Sequence, residues 1–114
     1  MIVQELCTAL EMPVAAGEAG LDRKVTGGYA SDLLSCVMAG AQTGNVWVTL
    51  QAHPNIVAVA ELLSLACIVI TEGTQPDAET VERANERGIP ILLSDAGTFT
   101  VVGRLTDLGI QGSR

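Results

Sequence analysis

Three short apolar runs that begin at Asn45, Cys67 and Ile89 constrain the fold more than any other feature of this chain. Their starts are evenly spaced, and a helical pattern separates each run from the next. Alternation of strand and helix is typical of parallel sheets, because two parallel strands need a long crossover between them. We therefore predict parallel strands at residues 46–50, 67–70 and 89–93, lying side by side in one sheet.

Composition narrows this prediction to a single α/β domain. A chain of 114 residues with 48% hydrophobic content can bury one core, and it has no room for a second domain. Aromatic residues make up only 3% of the chain, so the core must be aliphatic. Aliphatic strands suit parallel sheets that are covered by helices on both faces. The predicted fold is a three-layer α/β sandwich with a mostly parallel central sheet, and the predicted domain spans residues 1–114.

The N-terminal half predicts further elements around this sheet. An amphipathic pattern indicates a helix over residues 2–11, followed by a brief strand at residues 14–16 and an extended segment at residues 24–29. Ser31 is placed to cap a helix that begins at Asp32 and ends at Gly40. The residues expected on the buried face of that helix are Leu33, Leu34, Val37 and Met38.

The C-terminal half predicts three helices. The helix from Pro54 to about Leu65 is apolar nearly all round, so something besides the sheet must cover it, either the first helix or a second subunit. A helix over residues 77–87 is polar outside, and Thr98 is expected to cap a last helix that ends at Gly109. Trp47, in the middle of an apolar run, is interpreted as core rather than as a stacking platform.

Charge and cysteine content exclude several classes of function. The net charge is −7 and the six cations are scattered, so nucleic acid is not expected as a partner. No apolar run is long enough to cross a membrane. The three cysteines show no paired spacing and there is one histidine, so we expect no disulfide framework, no metal site and no cofactor. This pattern, without a signal peptide, indicates a reducing, cytoplasmic setting.

Two polar regions are candidates for ligand binding. Arg23, with Thr26, Gly27, Gly28 and the Ser31 cap, would form an anion site from backbone amides and one guanidinium. The alternative is a structural turn in which Arg23 pairs with a carboxylate or with neighbouring carbonyls.

The loops after the predicted strands form the second region, because ligands of parallel sheets favour the carboxyl ends of the strands. Its candidates are His53, Asn55 and Glu72. The alternative is ordinary helix capping by His53 or Asn55 and by Thr98. Cys36, His53 and Asp95 have the residue types of a nucleophile, a base and an orienting group, but nothing in the sequence brings them together and Cys36 is expected on a buried helical face.

Several separated blocks of the sequence resemble one known family. They are Asp22-Arg23, Thr26-Gly27-Gly28, residues 31–38, residues 44–51, residues 53–56, residues 68–73 and residues 88–91. In this order and spacing they resemble the DRTGG domain family over nearly the whole chain. One departure is that Lys24 and Val25 separate Arg23 from Thr26, so the five letters of the family name are not contiguous here.

The resemblance implies an α/β domain similar to the N-terminal domain of HPr kinase/phosphorylase. Members of this family sit beside CBS domains in regulated pyrophosphatases and inside some phosphotransacetylases, or occur alone, and no reaction is assigned to them. This chain has no G-x-x-x-x-G-K-[ST] motif, so kinase activity is not expected. The predicted function is a non-catalytic regulatory module that acts as a homodimer and binds a small anionic ligand or nucleotide, a regulatory partner protein, or both. The alternatives are an enzyme that acts on a phosphorylated metabolite in the strand-end crevice and a purely structural adaptor.

Overall fold

The three apolar runs form the centre of a five-stranded sheet. The structure, a computed structural model, describes residues 1–113. In chain order its elements are α1 (Val3–Leu10), β1 (Val14–Ala16), β2 (Gly27–Ala30), α2 (Leu34–Gly40), β3 (Asn45–Thr49), α3 (Asn55–Leu63), β4 (Cys67–Ile70), α4 (Ala78–Arg87), β5 (Ile91–Leu93) and α5 (Thr98–Asp107). The strand order is β1-β5-β4-β3-β2, and every pair is parallel except β1 with β5. The predicted side-by-side arrangement of the three central strands is confirmed.

The sheet is apolar on both faces, and helices cover each of them. Trp47 and Ile68 point to the layer formed by α2, α3 and α4. Val48 and Val69 point to the opposite layer, formed by α1 and α5. Successive side chains of a strand point to opposite faces, so an unbroken apolar run fills both layers. This confirms the three-layer α/β sandwich and its mostly parallel sheet.

The start of α2 differs from the sequence prediction. The helix begins at Leu34 and its N-cap residue is Leu33, so the prediction of Ser31 as the cap was wrong. The Ser31 hydroxyl instead accepts a hydrogen bond from the Leu33 amide at 3.1 Å. Asp32 stays outside the helix because its carboxylate binds the end of β3.

Burial of α2 and α3 also departs from the prediction. Val37 is fully buried, but Leu33 and Met38 are 60% and 48% exposed, because α2 begins later and presents a narrower face to the sheet. In α3, Val57 and the residues around it pack against the sheet and the neighbouring helices, whereas Leu62 is 67% exposed. The first helix does not cover this outer face, because α1 packs in the opposite layer, and cover by a second subunit stays a prediction.

Two buried cysteines give the stability of the fold a pH dependence. Burial raises the pKa of the Cys67 thiol above its ordinary value of 9.0, and the nearby Cys7 adds to this effect. Burial raises the pKa of Cys7 as well. The folded chain therefore keeps protons that the unfolded chain releases above pH 9, so these thiols favour the folded state at lower pH and lose that contribution as the pH rises.

We expect the free energy of unfolding to fall by about 1.4 kcal/mol per pH unit above about pH 9 on account of Cys67. Urea denaturation under reducing conditions at about pH 8 and about pH 10 would measure it. In Cys67→Ala the decrease should be smaller by that amount, while Cys36→Ala, which removes an exposed thiol, should leave it unchanged. An equal decrease in wild type and Cys67→Ala would contradict this account.

Candidate functional site

The eight candidate residues lie at the two opposite ends of the parallel strands. We call the end where the strands begin the amino edge of the sheet and the end where they finish the carboxyl edge. Thr26, Gly27 and Gly28 lie where β2 begins, and Arg23 reaches the segment that precedes β4. Ser31, His53, Asn55 and Glu72 follow the ends of their strands. A strand of four residues spans about 13 Å, so the two groups cannot share one small ligand through direct contacts along the sheet.

At the amino edge, Arg23 and Thr26 bind backbone carbonyls. The Arg23 guanidinium donates from Nη1 to the Leu65 carbonyl at 3.2 Å. The Thr26 hydroxyl donates to the Thr43 carbonyl at 2.7 Å, and the Thr26 amide donates to the Gly44 carbonyl at 2.9 Å. Both side chains thus hold the turns that lead into β3 and β4. For Arg23 this agrees with the alternative to an anion site, a structural turn in which its guanidinium binds backbone carbonyls.

The two glycines at the start of β2, an outermost strand of the sheet, allow the C-terminal segment to lie close against that strand. A Cβ atom on Gly27 would stand 2.7 Å from the Gln111 carbonyl oxygen. The Gly28 amide donates to the same carbonyl at 3.0 Å, and Gly28 forms a parallel bridge with Gly112. Neither Gly27 nor Gly28 has a positive φ, so it is the close approach and not an unusual backbone conformation that requires glycine here.

The anion site as the sequence predicted it does not form. The Gly28 amide is already used by Gln111, and Ser31 lies at the opposite end of β2. No helix begins beside the two glycines, since α2 starts at Leu34. The predicted combination of helix amides with the Arg23 guanidinium was therefore wrong, and contact of these residues with a ligand stays a prediction.

At the carboxyl edge, Asp32 joins the loops after β2 and β3. Its Oδ1 atom accepts hydrogen bonds from the Leu50 amide and from the hydroxyl of Thr49, which is fully buried. Its backbone carbonyl accepts a further bond from Gln51 Nε2 at 2.8 Å. The sequence pattern predicts that Asp32 begins a helix. Its actual role, linking two strand-end loops, depends on Thr49 and Leu50 at the end of β3.

An open cleft of about 360 Å³ adjoins Asp32 and His53. Leu50, Gln51 and Ala52 line the rest of it. His53 Nδ1 lies 3.6 Å from Asp77 Oδ2, just before α4, and both side chains are more than half exposed. Asn55 begins α3 next to this cleft. The N-terminal ends of two helices therefore lie beside an open cleft of mixed polar and apolar lining, a place where parallel sheets commonly bind ligands.

Glu72 closes the next strand-end loop. Its carboxylate accepts the amide of Thr98 at 2.8 Å, and its backbone is left-handed, with φ of 62°. The N-cap residue of α5 is Gly97, so the prediction of Thr98 as the cap was wrong. The Thr98 hydroxyl instead bonds to that of the buried Thr71 at 2.7 Å. A carboxylate 26 residues away thus accepts the first amide of α5.

Cys36, His53 and Asp95 do not come together as a nucleophilic site. Cys36 is exposed on α2, not buried as expected, because α2 turns it away from the sheet. Asp95 lines a separate cleft with Glu11 and Arg104, on the side of α1 and α5. His53 pairs with Asp77 instead. Among residues 1–113 there is no group of three or more histidine, cysteine, aspartate or glutamate side chains placed to hold a metal ion.

These features define a three-layer α/β domain whose polar strand-end loops meet at the carboxyl edge of a parallel sheet. Residues 25–108 match the DRTGG domain family, and the chain belongs to that family. The family resemblance seen in the sequence is thereby confirmed. Helix α1 and strand β1 precede the matched range and complete the same sheet and its second layer. No helix in the described part of the chain is long and apolar enough to span a bilayer.

A solved structure shares this fold. It contains the CBS and DRTGG domains of the regulatory region of Clostridium perfringens pyrophosphatase, in complex with the activator diadenosine tetraphosphate. The TM-score is 0.75 at 13% sequence identity, and the match covers 99% of this chain and 51% of that one. This chain therefore spans about half the length of that structure, and the likeness shows the fold alone. A comparison with curated proteins found no match.

Proposed function

We propose that residues 1–114 form a single DRTGG domain that works as a non-catalytic regulatory module in the cytoplasm. In this proposal the domain binds a nucleotide at the cleft beside His53, acts as a homodimer, and signals the bound state to a regulatory partner protein. The observation that carries the proposal is the carboxyl edge itself, where the loops that follow β2 and β3 meet at an open cleft. The regulatory region of the structural neighbour, which was solved with a nucleotide activator, supports the same class of ligand.

The charges at this edge limit how a nucleotide can bind. Asp32, Glu72 and Asp77 all lie at this edge, and the carboxylates of Asp32 and Glu72 already accept backbone amides there. A bare polyphosphate would be repelled by these groups. The proposed ligand therefore places its base and sugar in the cleft and carries its phosphates outward or as a magnesium complex.

The hydrogen bonds around Asp32 provide a route for a regulatory response. A ligand in the cleft would contact Gln51, which holds the Asp32 carbonyl, and would lie against the loop whose amide binds the Asp32 carboxylate. The loops after β2 and β3 would then move together. Since α2 follows directly after Asp32, a shift at the cleft reaches the outer layer of the domain.

A thermal-shift series with nucleotides, with and without magnesium, tests the ligand. At a concentration of about a hundred times Kd, binding stabilises the domain by about 2.7 kcal/mol, which raises Tm by roughly 10 °C for a domain of this size. We expect this shift in wild type and Arg23→Ala and expect its loss in His53→Ala, because Arg23 lies at the other edge of the sheet. A shift that survives His53→Ala and disappears in Arg23→Ala would move the site to the amino edge. No shift with any nucleotide would refute this part of the proposal.

The competing proposal is an enzyme that acts on a phosphorylated metabolite in the same cleft. The nearness of His53 to Asp77 favours it: the two side chains lie 3.6 Å apart, and a small rotation that forms a hydrogen bond between them would let the carboxylate orient the imidazole as a general base. Turnover of a phosphorylated metabolite by wild type and its loss in both His53→Ala and Asp77→Ala would favour the enzyme over the regulatory module.

A further inference from the structure

Helix α5 carries a side chain that the rest of the domain leaves in solvent. Phe99, the only phenylalanine of the chain, is 93% exposed on the first turn of this helix. A phenylalanine side chain removes about 150–250 Å² of surface from water when it is buried. Every other large apolar residue in the described part of the chain is less exposed than Phe99.

An apolar hollow of about 120 Å³ lies on the same side of α5. Val102 and Thr106, about one and two turns after Phe99, form one wall, and Val48 and Ile110 form others. The hollow exists because β2 has little side-chain volume here: its residues Gly28 and Ala30 lie in register with Val46 and Val48, which face α5. Small residues on the edge strand therefore leave the space beside α5 unfilled.

Gly103, in the middle of α5, has no explanation within the domain. It is exposed, and a Cβ atom added to it would meet nothing within 4 Å. Glycine in a helix interior weakens the helix relative to alanine. A glycine at such a position is useful when a second backbone approaches the helix closely, and no segment among residues 1–113 does so.

Phe99, Val102, Gly103 and Thr106 form one stripe along α5, at the spacing i, i+3, i+4 and i+7. We propose that this stripe and the adjoining hollow form a twofold interface with a second copy of the chain, with the two α5 helices antiparallel. A twofold axis beside Val102 and Gly103 places Phe99 opposite the partner's Thr106, which lines the partner's hollow. Each copy then fills the hollow of the other with its phenyl ring, as a self-complementary twofold contact requires.

The volume of the hollow favours a second copy as the occupant, and the lack of charged side chains on this face permits its approach. A cavity of about 150 Å³ lined by apolar side chains holds a benzene ring, so an open hollow of this size accepts the end of a phenyl group. Two copies that each carry a net charge of −7 repel one another over most of their surface. The stripe and the lining of the hollow contain no lysine, arginine, histidine or carboxylate. This face is therefore one on which two copies can approach without opposing like charges.

The area of a stable dimer sets the extent of the interface. Specific interfaces bury about 800 Å² on each partner, which is about one seventh of the 5644 Å² that this chain exposes. The stripe on α5 is too narrow to supply this alone. The interface must also cover the outer edge of β2, where Tyr29 borders the hollow, and the segment at Gln111 and Gly112.

The α5 interface is the surface through which the homodimer of the proposed function would form, so it rests on that proposal, and it can be tested without a ligand. The solution mass of wild type, measured by light scattering over a dilution series, should be twice 11.8 kDa and fall to 11.8 kDa on dilution. Phe99→Asp should weaken dimerisation by roughly a hundredfold or more, because it places a carboxylate in an apolar hollow. Leu62→Asp, at an exposed leucine on the opposite layer, should dimerise like wild type.

Gly103→Ala provides a second, independent variant. The added methyl group should stabilise the isolated helix, so the diluted monomer should melt at a higher temperature, while dimerisation becomes at least about tenfold weaker. A substitution that affected only the helix itself would not raise the melting temperature of the monomer and at the same time weaken dimerisation.

The outcomes separate the interface from the rest of the proposed function. A wild type that stays at 11.8 kDa at every concentration overturns both the interface and the homodimer. A dimer that persists in Phe99→Asp overturns the α5 interface and leaves the homodimer standing. A dimer that is lost in Phe99→Asp supports the interface whether or not any nucleotide shifts the melting temperature.

Discussion

Replacing Trp47 with alanine is expected to lower the free energy of unfolding by about 4 kcal/mol, one of the largest effects of any single substitution in this chain. Trp47 is fully buried at the centre of β3, and it packs in the layer that contains Ile56 and Ile68. Its truncation leaves a cavity that a close-packed aliphatic core cannot refill.

Trp47→Phe separates packing from hydrogen bonding. The indole donates from Nε1 to the Ser31 carbonyl at 2.8 Å, and phenylalanine cannot replace this bond. We expect a loss of about 2 kcal/mol, because the carbonyl at the end of β2 is left without this partner and part of the ring volume is missing. Urea denaturation followed by circular dichroism measures both variants, since fluorescence from the single tryptophan disappears with it.

Leu62→Ala is the control for these variants. Leu62 is 67% exposed, so its truncation should change the free energy of unfolding by less than about 0.5 kcal/mol. A loss below about 1 kcal/mol in Trp47→Ala would contradict the central position assigned to this side chain.

Gly17→Ala is expected to cost about 3 kcal/mol or more. Gly17 is buried with a φ of 73°, and an added Cβ atom would collide with the backbone carbonyl of Ile89. The Gly17 amide donates to Asn85 Oδ1 at 2.8 Å, so any shift of the backbone also strains a contact with α4. Thermal and urea unfolding would measure the loss.

Gly109→Ala is the matched control, because Gly109 also has a positive φ, of 91°, but an added Cβ atom would meet nothing within 4 Å. It should show the strain of a left-handed alanine alone, about 1–2 kcal/mol. Equal losses in Gly17→Ala and Gly109→Ala would mean that the contact with Ile89 carries no cost.

The order of strands and helices could be predicted because the signals for it are local. The apolar runs that became β3, β4 and β5 are each a few residues long, and glycine marks the end of α4 at Gly88. The boundaries were less accurate. The apolar run predicts a strand from Ile89, whereas the Ile89 amide donates to the Ala84 carbonyl and completes the end of α4, so that β5 begins at Ile91.

The candidate site was predicted in part, for a reason that its hydrogen bonds make plain. The loops after the strands lie at one end of the sheet, as the carboxyl ends of parallel strands must, but they do not line one crevice, since His53 and Asp95 border separate clefts. The roles of the individual residues in those loops were not predicted correctly. Ser31 and Thr98 have the residue types of helix caps, but α5 is capped by Glu72 and the Asp32 carboxylate binds the end of β3.

The sequence by itself determined the layers, the parallel central strands and the family, because apolar periodicity and motif order depend on residues that are close along the chain. Only the tertiary structure decided that Arg23 and His53 lie at opposite edges, that Glu72 reaches α5, and that Phe99 stands beside an unfilled hollow. Those relations join residues from different strands and helices. Their distances follow from how the layers pack, and no local pattern encodes that.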